Sequence, residues 1–95
     1  MKTNISHNAM VDALVSDEYA NWTYEGAEAL ISYLEDLELE LDEDIDFDRV
    51  ALRCEFTEYK TMAEACAEYG TECYELRQRT TVIDFGYHGV IVQNY

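Results

Sequence analysis

Ninety-five residues carrying 21 acids against six bases, a formal net charge of -15, leave room for one modest core and none for a cofactor domain joined to a substrate domain. Because 48% of the residues are apolar and eight are tyrosines, a single folded acidic domain spanning residues 1–95 is expected, not a disordered acidic tail. Direct binding to nucleic acid or to an anionic membrane is disfavoured by the charge, which favours encounter with basic surfaces.

The chain opens with one Lys and no continuous apolar segment, and no run of about 18 apolar residues follows, so neither export nor membrane insertion is expected. A cytoplasmic location is the corresponding expectation. Ser6 is a fitting N-cap for a short helix over His7 to Val15, with Ala9, Met10, Ala13 and Leu14 on one side. Tyr19, Trp22 and Tyr24 are placed to anchor the junction that follows. Thr23 can cap the next helix, with Glu25 set against the positive end of its dipole. That helix reaches to about Leu41 and aligns Ala27, Leu30, Ile31, Leu34, Leu37 and Leu41 as a buried stripe, leaving Glu25, Glu28, Ser32 and Glu35 on the wet face.

Beyond Leu41 acids and apolar residues alternate, which predicts an extended segment with Ile45 and Phe47 inward and Asp44, Asp46 and Asp48 outward. RVALRCEFTEY also reads as a strand, with Val50, Leu52, Cys54 and Phe56 toward the core. Thr61 and Glu64 form a capping box for a helix that runs to Tyr69 and stops at Gly70. Thr71 is placed to cap a second short helix ending near Arg79. TTVIDF and VIVQN flank Gly86-Tyr87-His88-Gly89 as a β-hairpin. The predicted order is α, α, β, α, α, β, β: an α+β fold in two layers, with about three antiparallel strands and three to four helices.

Charge is concentrated in the first half. No Lys or Arg lies between Lys2 and Arg49, where 14 of the 21 acids are found. LEDLELELDEDIDFD, residues 34–48, holds nine carboxylates: Glu35, Asp36, Glu38, Glu40, Asp42, Glu43, Asp44, Asp46 and Asp48. Packing so much like charge together costs folding stability, and it suits a surface that meets a positively charged partner. Outward residues of an extended chain recur at roughly 6.6 Å and wet-face neighbours on a helix at about 5–6 Å. Both spacings are of the order at which phosphates follow one another along a nucleic-acid strand. A rigid element bearing these nine acids therefore suits a Lys/Arg groove built for a phosphate backbone.

Other chemistry finds less support. Asp44, Asp46, Asp48 and Glu55 fall at the first, third, fifth and twelfth positions of an EF-hand loop, but Arg49 stands where that loop needs glycine. Cys54, Cys66 and Cys73 are odd in number and include no CxxC pair, and His7 and His88 lie at opposite ends of the chain. Neither a disulfide framework nor a zinc site is expected. No nucleophile relay or phosphate-binding loop is present, so no enzyme, no cofactor and no catalytic residue is expected.

The segments DEYANWTYEGAEALISYLEDLE, VALRCEFTEYKTMAEACAEYG and TTVIDFGYHGVIVQNY resemble small acidic proteins carried by bacteriophages. More loosely, the charge and the interleaved aromatics resemble phage antirestriction and anti-CRISPR proteins, several of which imitate DNA. That resemblance implies a non-enzymatic inhibitor of a host nucleic-acid-binding defence complex, a CRISPR effector or a restriction enzyme, whose basic groove the acids would occupy. The alternative is an accessory protein that binds a host transcription or replication regulator through an aromatic and hydrophobic surface. A homodimer is compatible with either.

Overall fold

The computed structural model describes Ser6 through Asn94, with the exception of Asp44 and Asp46. Among the described residues eight elements follow one another in the order α1 (His7–Val15), α2 (Tyr24–Leu41), α3 (Arg49–Glu55), β1 (Phe56–Tyr59), α4 (Met62–Tyr69), α5 (Cys73–Arg79), β2 (Val82–Phe85) and β3 (Gly89–Gln93). The α+β class and the three antiparallel strands are as the sequence leads one to expect, with a fifth helix added.

Side-chain capping accounts for most of the helix starts. Ser6 accepts from the Ala9 backbone N–H, Thr23 from Gly26 and Thr61 from Glu64, each at 3.0–3.2 Å. Thr71 does not cap α5. Glu72 occupies that position without a side-chain bond, while the Thr71 hydroxyl donates to Glu75 at 2.8 Å. In α1 the buried residues are Met10, Val11 and Leu14; Ala9 faces solvent. In α2 Ala27, Leu30, Ile31 and Leu34 are buried, but the stripe fades toward the C-terminus, where Leu37 is half-buried and Leu41 exposed.

The predicted strand from Arg49 is a helix for its first two turns. Asp48 accepts from both the Val50 and Ala51 backbone N–H groups, at 3.1 and 3.2 Å, which satisfies two donors that an α-helix leaves open at its start. Residues 49–56 alternate in polarity well enough for a strand, yet only Leu52 and Phe56 of them are buried, four residues apart, while Val50 and Cys54 are exposed. The cap and the i, i+4 pair outweigh the period-two pattern, so the strand begins only at Phe56.

In the sheet β3 lies between β1 and β2, antiparallel to both, with Phe56 opposite Gln93, Val82 opposite Val92 and Phe85 opposite Gly89. The α4–α5 pair carries the chain from one edge strand to the other, and the turn at 86–88 returns it as the central strand. Val90, Ile91 and Val92 are consecutive and all buried, the mark of a strand covered on both faces. Ile91 packs with α1, α2, Leu52 and Phe56, whereas Val90 and Val92 pack with Ala65, Cys66 and Leu76 of α4 and α5. Helices thus cover the second face as well, an addition to the two-layer arrangement.

One polar contact ties the α1–α2 connection to α3. Asp17, only 4% exposed, accepts from Arg53 with both carboxylate oxygens at 2.9 Å and from the Tyr19 backbone N–H at 3.0 Å. The Arg53 guanidinium also lies 5.2 Å from the centre of the Tyr19 ring.

Candidate acidic interface

The acidic surface begins with α2. Its buried face grips the core through Ala27, Leu30, Ile31 and Leu34, which fixes the opposite face toward solvent. Along that outer face Glu25, Glu28, Ser32, Asp36 and Glu40 are exposed at steps of three and four residues, forming one ridge. An 18-residue helix is about 27 Å long, and the four carboxylates of this ridge amount to about one charge per 7 Å, against about 3.4 Å per charge on one strand of DNA. No Lys or Arg interrupts the helix.

The nine acids singled out in the sequence do not all serve this ridge. Asp36, Glu40, Asp42 and Glu43 are exposed. Glu35 is half-buried, and its carboxylate meets the His7 ring nitrogen Nδ1 at 2.5 Å. Glu38 turns back and accepts from the Ile45 backbone N–H at 2.7 Å, which holds its pKa below the ordinary value for glutamate. Asp48 is occupied in capping α3. Asp44 and Asp46 lie outside the described residues. Of the predicted extended segment, Ile45 and Phe47 are half-buried, and Phe47 packs against the main core.

Asp42 ends the helix in the left-handed conformation, with φ 53°, a position that Asp tolerates better than most side chains. Its backbone N–H and that of Glu43 both reach the Glu38 carbonyl. The chain therefore turns tightly at the foot of α2, and Glu38 straps the turn from the side-chain end as well.

The ridge extends beyond the quoted run in the other direction. Glu25 and Glu28 border a shallow groove between α2 and the β2–β3 turn, whose other walls include Ser32, Asp84, Phe85 and Tyr87. Tyr87 at the tip of the turn is 99% exposed. The periodicity of α2 already put Glu25 and Glu28 on the wet face; they stood apart from the candidate set because they precede the dense run. Asp84 and Tyr87 carry no local signal, since only the sheet brings them beside α2. Asp84 is not a free charge: Arg77 of α5 donates to both its oxygens at 2.8 and 3.1 Å, holding its pKa below the usual carboxylate range.

Among the aromatic residues of the acidic half, Tyr19 and Tyr24 are exposed, Trp22 is buried in the core, and Tyr33, like Phe47, packs partly against it. The EF-hand spacing meets a different local structure, because a helix opens at Arg49, at the sixth loop position, with Asp48 as its cap. Among the described residues no three His, Cys, Asp or Glu side chains gather as a metal site. Nor is any described helix long and apolar enough to cross a membrane. No protein family, no curated protein and no solved structure matches this chain.

Proposed function

We propose that this protein is a non-enzymatic phage inhibitor, acting in the host cytoplasm, that imitates DNA and occupies the basic groove of a host nucleic-acid-binding defence complex, a CRISPR effector or a restriction enzyme. The observation that carries the reading is the exposed ridge of α2, which holds Glu25, Glu28, Asp36 and Glu40 with Ser32 between the pairs and no Lys or Arg, continued by Asp42 and Glu43, on a helix whose other face is locked into the core. A rigid array pays little ordering entropy on binding, and a face of one charge sign favours encounter with a basic groove. Inhibition follows from steric and electrostatic competition for the groove and needs no catalytic group. Glu35, Glu38 and Asp48 add to the negative charge of the molecule while engaged with His7, Ile45 and the start of α3.

The test is competition with duplex DNA at low and high salt. Binding of this protein and of DNA to the target should be mutually exclusive and should weaken as salt rises. Simultaneous binding of both would end the mimicry reading. The second reading, a host transcription or replication regulator bound through an aromatic surface, draws on the exposure of Tyr19, Tyr24 and Tyr87. Under that reading Asp36→Asn, Glu40→Gln, Asp42→Asn and Glu43→Gln together would leave binding unchanged, whereas Tyr87→Ala would weaken it.

A further inference from the structure

The α4–α5 corner brings together two thiols that are seven residues apart in the chain. Gly70 ends α4 in the left-handed region, φ 63°, and reverses the chain so that α5 folds back on α4. As a result the Sγ atoms of Cys66 and Cys73 lie in direct contact at 2.6 Å, longer than the roughly 2.05 Å of a covalent S–S bond. The two differ in access. Cys66 is buried beside Val90 and Val92, whereas Cys73 is exposed at the surface. The Arg77 guanidinium, held by Asp84, slightly opposes the rise in the Cys66 pKa.

We propose that Cys66 and Cys73 form a thiol–disulfide exchange site that takes a low-molecular-weight disulfide as oxidant, with Cys73 as the entry thiol and Cys66 as the resolving thiol. Cys73 as the thiolate attacks one sulfur of the reagent; the reagent's S–S bond breaks, and the departing thiolate takes up the proton that Cys73 released. Cys66 then gives up its proton and attacks the Cys73 sulfur, expelling the second small thiol. Two protein thiols are oxidised by two electrons and one disulfide is reduced to two thiols. The order follows from access. Burial, followed by the hydrogen bond with Cys73, pushes the Cys66 thiol up to about 11, so it remains protonated until its neighbour has reacted. Cys54 stands apart on α3 and takes no part. The product pins α4 to α5 on the sheet face opposite α1 and α2.

Oxidised glutathione is a suitable probe, with intact mass and alkylation of the remaining thiols as readouts on the full chain. In the native protein Cys66 and Cys73 should together lose two hydrogens, any glutathione adduct should sit on the exposed Cys54 alone, and the oxidised form should melt about 10 °C higher than the reduced form. Cys66→Ser should stop at a stable glutathione adduct on Cys73. Cys73→Ser should neither cross-link nor take up glutathione at Cys66 while folded. In urea the native chain should lose its preference for the 66–73 pair. Three alkylatable thiols after exposure of the folded protein, a glutathione adduct on Cys73 that persists in the native chain, or a cross-link through Cys54 would each overturn the proposal.

Discussion

Arg53→Ala is expected to destabilise the protein by about 3 kcal/mol. The substitution leaves the Asp17 carboxylate, 4% exposed, with the Tyr19 backbone N–H as its remaining donor among the contacts described above, in place of the Arg53 guanidinium that meets both oxygens. Breaking a fully buried pair costs roughly 3–5 kcal/mol. The Arg53 side chain is 26% exposed, so water reaches part of the vacated space and the low end applies. Loss of the guanidinium from the exposed Tyr19 ring adds only about 0.5 kcal/mol. For a chain of this size the sum is a fall of about 15 °C in Tm. Urea unfolding followed by the fluorescence of Trp22, the single and buried tryptophan, provides the measurement. The double variant Asp17→Asn with Arg53→Met removes the charge and keeps the volume, and should return to within about 1 kcal/mol of the native protein. A loss below about 1 kcal/mol in Arg53→Ala, with an unchanged m-value, would mean that Asp17 is solvated by a local shift and is not held buried by its partner.

Neutralising Asp36, Glu40, Asp42 and Glu43 together should weaken target binding about 30-fold, from roughly 0.5 kcal/mol per exposed pair, while Tm stays level or rises because self-repulsion falls; a drop in Tm would show that these side chains have a structural role. Gly26→Ala would place a Cβ 2.0 Å from the Glu58 carboxylate oxygen that accepts from the Thr23 backbone N–H. The lost hydrogen bond, about 1 kcal/mol, roughly cancels the gain in helix propensity, so the single variant should be near neutral by urea unfolding, and on a Glu58→Ala background the same change should stabilise by about 1 kcal/mol. Glu38 and Asp84 have folded pKa values lowered by the Ile45 backbone N–H and by Arg77 respectively, so their contributions are complete above the ordinary carboxylate pKa, near 4, and disappear as pH falls through the lowered folded values. Relief of the overall negative repulsion acts oppositely over the same range. The comparison of Glu38→Gln with the native chain isolates the first effect: their Tm difference should be present at pH 7 and shrink below about pH 4.

Much of the fold was legible in the chain because caps and helical periods are written within a few consecutive residues. Ser6, Thr23 and Thr61 mark where helices start, Gly70 marks where one stops, and Gly86 to Gly89 bound the hairpin. The acidic ridge of α2 was legible for the same reason, since a buried stripe dictates the direction of the opposite face. Residues 49–55 were not, because their polarity alternates as a strand's does; the decision rested on whether Asp48 would cap them.

Sequence alone determined the amount of negative charge, its confinement to the first half and the helix that displays it. Tertiary structure decided which of those charges remain available to a partner. Glu35 is engaged by His7, 28 residues away, and Glu38 by the backbone of Ile45, while Asp84 and Tyr87 join the edge of the ridge only because the sheet places them there. The closeness of Cys66 and Cys73 likewise depends on the direction in which α5 leaves the turn at Gly70. A charge or a thiol is a property of one residue, readable from its letter; its freedom depends on which distant donor or sulfur comes within about 3 Å, and packing of the whole chain settles that.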